Sequence, residues 1–294
     1  MLWYRSTRTQ AQFARERWQF PFFFLQLVTT YSHSRLETYE QCPLKYQFKY
    51  VLEIAEPAEF IEQFVGKRVH EALEKLHREQ AEGKRTTLSE LLDFLRRQWK
   101  TSWNERVKIV RRNKSAAEYS RYAEICVRNY YEKIWPDSQG ITILLEGHIQ
   151  FSLDEQNTYR MQGYIDRIAR RDDGVYEIHD YKTARHLPSQ QDAECDKQLG
   201  LYEIGARAQY PEARHIELIW HYVGLGQTLR SKRSPGQLRR LAESTIGLIR
   251  KIESADEFPA HKSALCDWCG YRPQCPAWGA AAVAATKPGP AEKF

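Results

Sequence analysis

The sequence lacks a long hydrophobic run. Its longest strongly apolar stretch, Phe20–Val28, is well short of the roughly 20 residues that cross a bilayer, so we predict no membrane span. Arginines precede this stretch, as they do in targeting peptides, but no small-residue cleavage site follows it. The absence of a recognisable signal predicts a cytoplasmic protein.

The two ends of the chain differ from the rest. Residues 1–30 are interpreted as a poorly defined N-terminal extension, and one hypothesis is that translation starts near Val28, just before the motifs described below. A native N-terminus at Met1, measured by mass, would refute it. Residues 279–294 are rich in alanine, lysine and proline, which predicts a disordered tail. In the whole chain of 294 residues, 42% hydrophobic and 13% aromatic content predicts a globular protein with a real core.

The charge balance is basic. The sequence has 44 lysines and arginines against 38 aspartates and glutamates, a net charge of +6, which suits a polyanionic partner or is an ordinary basic surface. Rings and cations concentrate in a predicted helical insert at residues 84–136. They are Trp99, Trp103, Tyr130, Tyr131, Trp135, Arg96, Arg97, Lys100, Arg106, Lys108, Arg111, Arg112 and Lys114. Bases stack on exposed rings while cations follow phosphates, so the insert is a candidate path for single-stranded DNA. The alternative is that the rings pack the helices and the cations are solvated.

Periodicity predicts an α/β protein. Helical spacing followed by alternation of apolar and polar residues places a three-stranded meander after a group of helices. The predicted helices are Ser34–Cys42, Phe60–Glu82, Leu88–Val110, Ala116–Trp135, Cys195–Gln209 and Ser234–Glu253. The predicted strands are Ile141–Leu153, Tyr159–Arg170, Val175–Thr183, His215–Val223 and Gln227–Arg233.

The six cysteines are unevenly spaced. Cys42 stands alone near the start, and Cys266, Cys269 and Cys275 form a C-x2-C-x5-C group near the end. In a reducing cytoplasm this pattern favours metal ligation over disulfides. Four thiolates bind either Zn²⁺ or an iron–sulfur cluster, and the spacing does not separate the two. Cys126 and Cys195 fall in helical patterns and are predicted to have no special role.

Two aspartates lie late in consecutive predicted strands. Antiparallel pairing would bring Asp166 and Asp180 together, where two carboxylates repel unless a cation joins them. Lys182 follows two residues after Asp180 and therefore leaves the same face of the strand. Such oxygens suit Mg²⁺ or Mn²⁺, which polarises a phosphate and activates water, while a lysine orients that water or stabilises developing charge. Taken alone, these residues are also typical of a solvated hairpin.

Four motifs give this trio a context. They are Gly66-x3-His70, Gly163-Tyr-Ile-Asp166, His-Asp180-Tyr-Lys182-Thr183 and Gln198-x3-Tyr202. In this order they resemble the RecB-like branch of the PD-(D/E)XK nuclease superfamily, over roughly residues 31–278. The resemblance implies a restriction-endonuclease-like fold, a mixed central sheet flanked by helices. It also implies that His70, Asp166 and Asp180 bind Mg²⁺ or Mn²⁺ and that Lys182 activates water, with Gln198 and Tyr202 supporting the site and contacting DNA. Without that context, His70 and Tyr202 are ordinary core residues, and Glu146 on the first strand is a further candidate.

The cysteine pattern is similar to the iron–sulfur staple of AddB subunits, CRISPR-associated RecB-like nucleases and stand-alone RecB-family exonucleases. The resemblance implies that Cys42, Cys266, Cys269 and Cys275 hold a [4Fe–4S] cluster in a C-terminal lobe, residues 259–278. Zn²⁺ is the alternative occupant.

The chain also departs from the superfamily's pattern. Aspartate rather than glutamate precedes Tyr181-Lys182, no proline precedes Asp166, and the helical insert is longer than in CRISPR-associated members.

From the resemblance we expect a metal-dependent DNA exonuclease acting on single-stranded ends in repair, recombination or CRISPR-related processing. A helicase or another protein of these pathways is the expected partner. The alternative is a noncatalytic DNA-binding or assembly subunit, which the intact acids and lysine argue against.

Overall fold

The computed structural model describes residues 29–137 and 140–280. The expectations about residues 1–28, and about the tail beyond residue 280, lie outside the described residues. The helices are α1 (His33–Gln41), α2 (Pro43–Tyr46), α3 (Ile61–Ala81), α4 (Leu88–Ser102), α5 (Ala116–Asn129), α6 (Gln190–Cys195), α7 (Lys197–Gln209) and α8 (Pro235–Glu253). In the part of the chain that is described, no helix combines the length and the apolar character that a membrane crossing requires.

Six strands form a mixed sheet. They are β1 (Tyr31–Ser32), β4 (Ile141–Ser152), β5 (Arg160–Arg170), β6 (Tyr176–Lys182), β7 (Ile216–Tyr222) and β8 (Gln227–Ser231). Their order is β1-β5-β6-β7-β8, with β4 also paired to β5. The β1–β5 and β6–β7 pairs are parallel and the other pairs antiparallel. Short β2 (Glu59–Phe60) and β3 (Val107–Lys108) pair separately. The mixed central sheet expected from the sequence is confirmed.

Two predicted helices had wrong boundaries. Helix α4 begins as expected, with Thr87 and Glu90 in a capping box, but ends at Ser102 instead of Val110. Beyond it the Asn104 side chain accepts the backbone N–H of Arg106, a local bond that competes with the helix. The segment predicted to begin at Cys195 is broken at Asp196, which leaves the helical conformation and caps α7 by accepting the N–H of Leu199.

Helices cover both faces of the sheet. Residues of α1, α7 and α8 share one hydrophobic cluster with the inner residues of β4 to β7. Residues of α3, α4 and α5 form a second cluster, which Tyr181 of β6 and Val223 join from the other face. Strand β6 therefore lies between the two clusters, and α3 packs against β4, another neighbour of β5. This position is where the predicted site residues come together.

Candidate metal centre

Strands β5 and β6 separate at the predicted site. Their last paired residues are Arg167 and His179, so the two aspartates stand just beyond the ladder. Instead of a backbone partner, the Tyr181 N–H meets the side chain of Asp166 and donates to Oδ2 at 2.8 Å. The carboxylate thus takes the place of a ladder hydrogen bond, holds the strands apart and keeps its other oxygen for a ligand.

His70 projects from α3 into this opening. Its Nε2 lies 2.8 Å from the Tyr181 carbonyl, which accepts only, so Nε2 carries the proton. In the neutral ring Nδ1 then carries a lone pair, and this atom lies 3.5 Å from Asp166 Oδ1 and 3.7 Å from Glu146 Oε1. A hydrogen bond on the far nitrogen is the usual way a protein orients a metal-binding histidine. Burial alone would lower the pKa of His70, but the charges of Asp166 and Glu146 outweigh burial and raise it well above its ordinary value.

Glu146 completes the group. It lies between the pairs Leu145–Arg167 and Gly147–Ile165, opposite Asp166. Its φ of 44° is in the left-handed region, which is unfavourable for a glutamate and marks a strained position in a regular strand. One ligand atom each from His70, Glu146 and Asp166 lie within 4.8 Å of one another. Two carboxylates and an imidazole with open sides fit a hard divalent cation such as Mg²⁺ or Mn²⁺.

Asp180 and Lys182 form the adjoining half of the site. Asp180 is 4% exposed, and its Oδ2 lies 2.8 Å from Lys182 Nζ. Burial raises the pKa of Asp180 to about 6, with Lys182 opposing and Asp166 adding to the rise. Burial would lower the pKa of Lys182, yet the adjacent Asp180 charge raises it overall. The lysine is therefore a fixed positive charge at neutral pH. In the described residues, Asp180 lies outside the tight group of three ligands.

Gln198 and Tyr202 hold the lysine from α7. Gln198 Oε1 accepts from Lys182 Nζ at 2.8 Å, and Gln198 Nε2 donates to the Tyr202 hydroxyl at 3.3 Å. The Tyr202 ring packs on Gly163, where an added Cβ would lie 2.5 Å from Cε1 of the ring. Gly163 therefore has a steric role, because any side chain there would displace Tyr202 and, through it, Gln198.

The structure brings together all six predicted site residues and places the further candidate Glu146 with them, on a strained backbone that leaves no mark in the sequence. The aromatic residues of the helical insert have a different environment from the one expected for a DNA path. Tyr130 is fully buried, and Trp99 and Trp103 pack edge-on against Phe64 with centroids 5.0 and 5.5 Å away. Tyr130 and Trp99 therefore support the packing of the helices, whereas Trp103 keeps 39% of its surface exposed.

The four clustered cysteines line one small cavity of about 50 Å³. Cys42 lies at the junction of α1 and α2, Cys266 lies in a short 3₁₀ turn, and Cys269 and Cys275 each follow directly after such a turn. Backbone N–H groups of His261 and Ser263 donate to the sulfurs of Cys42 and Cys266, each at 3.4 Å. Cys126 is buried in α5 and Cys195 is exposed, and neither lines the cavity.

The sulfur spacing bears on the occupant. Although all six cysteines are among the described residues, no three of their sulfurs lie within 4.8 Å of one another. Zn–S bonds of about 2.3 Å place the sulfurs of a tetrahedral zinc site about 3.8 Å apart. The cavity is also lined by Lys45, Lys262 and Arg272, which suit an anionic occupant.

Comparison with known proteins decides the family. The sequence profile of the PD-(D/E)XK nuclease superfamily matches residues 30–276, most of the chain. The chain belongs to this superfamily. The mixed sheet, the flanking helices and the acids at the split between two strands agree with a PD-(D/E)XK nuclease domain that depends on a divalent metal.

Solved structures show more distant likeness. A crystal structure of a candidate exonuclease from Eubacterium rectale has a TM-score of 0.46 and 11% identity, covering 82% of this chain and 86% of the other. A crystal structure of the protein SSO0001 has a TM-score of 0.31 and 15% identity, covering 80% of this chain and 94% of the other. Neither is close enough to support an argument about this PD-(D/E)XK protein. No curated protein matches the chain.

Proposed function

We propose that this protein is a metal-dependent DNA exonuclease that acts on single-stranded ends in the cytoplasm, in repair, recombination or CRISPR-related processing. The observation that carries the proposal is the convergence of His70, Glu146 and Asp166 beside the Asp180–Lys182 ion pair. A helicase or another protein of these pathways is the partner we propose for supplying the ends.

The ligands divide between two strands and a helix. Asp166 and Glu146 would hold the Mg²⁺ or Mn²⁺ ion with His70, whose far nitrogen is fixed by the Tyr181 carbonyl. Asp180 supplies a further carboxylate from β6. When bound, the cation would polarise the phosphodiester and lower the pKa of an attacking water. The side chains of His70 and Glu146 are 28% and 29% exposed, so a phosphate has access to them.

Lys182 acts as a charge rather than a base. Asp180 holds it protonated, so it donates hydrogen bonds and offers positive charge where negative charge develops on the phosphate. Gln198 fixes its ammonium group, and Tyr202 fixes Gln198. We propose that these two residues position the lysine, and that their outer edges contact the DNA strand.

The cysteine cavity is proposed to hold a [4Fe–4S] cluster with a structural role. Its ligands come from the beginning and the end of the domain. The lobe is docked there by the Tyr271 hydroxyl, which donates to the Ile54 carbonyl at 2.7 Å, and by Phe258, whose ring packs on Tyr39 and Tyr46. A clip across so long a loop removes entropy from the unfolded chain and stabilises the fold by several kcal/mol. Zn²⁺ is the alternative occupant.

The nuclease proposal is tested with anaerobically purified protein, Mg²⁺ or Mn²⁺, and end-labelled single- and double-stranded DNA blocked at either end. We expect processive shortening from a free single-stranded end, and none from the Asp180→Asn protein purified in parallel. If protein with a verified cluster cuts no substrate, it is instead a noncatalytic DNA-binding or assembly subunit.

The cluster proposal has its own test. Cys42→Ala should bleach the brown iron–sulfur absorbance and lower the melting temperature, whereas Cys195→Ala, a change at an exposed cysteine outside the cavity, should alter neither. Bound zinc in place of iron, measured by elemental analysis, would identify the alternative occupant. If Cys42→Ala kept the colour and the melting temperature of the wild-type protein, the proposed structural role of the cluster would be rejected.

A further inference from the structure

A cleft of about 540 Å³ opens beside the metal centre. Its walls are α5, the start of α3 and the segment that follows β6, where Thr183 comes directly after the catalytic lysine. Four cations line it, namely Arg111, Lys114, Arg121 and Arg185, against the two carboxylates of Glu62 and Glu118. Arg111 and Lys114 are among the cations predicted from the sequence to contact DNA, whereas Arg121 and Arg185 are not.

Most of this positive charge is uncompensated. Lys114 pairs with Glu118 at 2.9 Å, but within the described residues none of the three arginines lies within 4.0 Å of a carboxylate. Two other charged clefts have similar volumes, about 580 and 570 Å³. There Lys67 pairs with Glu59, and Lys75 with Glu79. The linings of these two clefts carry three cations against two carboxylates and four against three, so the cleft next to the metal centre has the larger excess of positive charge.

Arg185 is held in place before any ligand arrives. Its guanidinium carbon lies 3.5 Å from the centroid of the Tyr122 ring. The Tyr122 hydroxyl donates to the Thr183 carbonyl at 3.0 Å. That hydroxyl also fills the space over Gly224, where an added Cβ would lie 1.9 Å from it. A stacked guanidinium keeps its N–H edge free, and that edge matches two phosphate oxygens.

We propose that this cleft binds the phosphodiester backbone of a single DNA strand on its way to or from the metal centre, with Arg185, Arg111 and Arg121 contacting phosphates. The inference rests on the proposed nuclease function, whose substrate class it refines. Arg185 is three residues from Lys182, at most roughly 10 Å along the chain, so a strand held there reaches the reacting phosphate. The cleft has the volume of a single ligand site, about 300–1,000 Å³, and does not hold a duplex.

Binding is measured in the cleavage-deficient Asp180→Asn protein, by fluorescence anisotropy with a labelled oligothymidylate over a range of salt. The test variant carries Arg111→Ala and Arg185→Ala. The matched control carries Arg239→Ala and Arg240→Ala, two exposed arginines of α8 outside the cleft, an equal loss of charge. We expect affinity to fall at least about tenfold in the test variant, and the slope of log affinity against log salt to lose about 1.4, or about 0.7 per phosphate contact. The control should keep the parent's affinity and slope.

Equal affinity and slope in the test variant and the parent would overturn the inference. Arg111→Glu, a single exposed change, repeats the test if the double variant does not fold, and it should weaken binding at least as much. A duplex of the same length tests whether the cleft prefers a single strand. If the cleft changes reduced the affinity for the duplex more than the affinity for the single strand, the proposal would be contradicted.

Catalysis separates this inference from the nuclease proposal. In the otherwise unaltered protein, the two cleft changes should raise KM for a long strand but leave hydrolysis of bis(p-nitrophenyl) phosphate, a diester too small to reach the cleft, unchanged. If no substrate is cleaved while the cleft changes still weaken strand binding, the nuclease proposal fails, but the proposal that the cleft binds a DNA strand is supported. Normal KM for the long strand in the cleft variant would refute the cleft alone.

Discussion

The two faces of strand β6 carry polar residues used in opposite ways. Asp180 and Lys182 leave one face as a charged pair beside an open metal centre. His179 and Tyr181 leave the other and enter a dry cluster, in which every histidine is neutral. There the rings of His179 and His221 stack 5.1 Å apart and share a hydrogen bond of 2.8 Å. One face keeps its charged pair beside an open site, and the other packs His179 against the buried Arg167, whose Nη1 lies 3.3 Å from His179 Nε2.

The buried face is linked to the site by backbone rather than side chains. Tyr181 stacks on His221 at 5.6 Å and meets the hydroxyl of Tyr130, which also bonds His77. The same residue's N–H and carbonyl hold Asp166 and His70. Packing that fixes Tyr181 therefore also restricts the two proposed metal ligands, Asp166 and His70.

Replacing Asp180 with asparagine should separate activity from stability most strongly. The substitution keeps the shape but removes a charge from the metal centre, so we expect cleavage to fall about 10³-fold or more, a loss of about 4 kcal/mol in transition-state stabilisation. Because Lys182 is about one-third exposed and keeps Gln198, the free energy of unfolding should change by less than about 1 kcal/mol. Cleavage rates on labelled DNA measure the loss of activity, and urea unfolding measures the change in the free energy of unfolding. Cleavage within tenfold of wild type would remove Asp180 from the site.

The complementary change on the buried face is His221→Ala. It deletes a stacked ring and leaves the partners His179 and Thr228 without their hydrogen bonds, so unfolding should become easier by about 2–4 kcal/mol. Cleavage by the folded fraction, measured well below the melting temperature, should stay close to wild type. If activity instead falls as far as in Asp180→Asn, the two faces are not separable.

Much of this arrangement was predictable, for physical reasons. Asp166, Asp180 and Lys182 were located by strand periodicity, because alternation fixes which side chains share a face. Their order with His70 and Gln198 was recognisable as a family motif. The strands of the meander were confirmed with small shifts at their ends.

The rest depended on information that periodicity does not carry. The left-handed backbone at Glu146 breaks the alternation that would have ranked it with the other ligands. Arg185 is near Tyr122 only because the loop after β6 folds back against α5. The histidines of β6 and β7 face one another through a parallel register set by tertiary pairing. The cysteine cavity was expected from the motif, but the three cations that line it were visible only in three dimensions.

Lowering the pH should progressively reduce the free energy of unfolding, because the buried face contains neutral histidines. Burial lowers the pKa of His77 to about 2 and that of His221 well below its usual value. Both are neutral when folded, whereas the unfolded chain takes up protons below about pH 6.5, so stability is complete above that pH and is lost as pH falls. Each histidine should cost about 1.4 kcal/mol per pH unit there. Urea unfolding between neutral pH and pH 5 measures the slope, which His77→Gln should reduce, and an unchanged slope would show that His77 is not involved.

The smallest expected effect tests the positioning of the lysine. Tyr202→Phe keeps the ring over Gly163 but removes the hydroxyl that accepts from Gln198 at 3.3 Å. A bond of this length between neutral groups is worth about 0.5–1.5 kcal/mol, so we expect kcat to fall about two- to tenfold with little change in stability. Gly163→Ala should reduce kcat further, because the added methyl displaces the whole ring and leaves Gln198 without its support. If Gly163→Ala were as active as wild type, Tyr202 would not position the lysine, and Gln198 alone would carry that role.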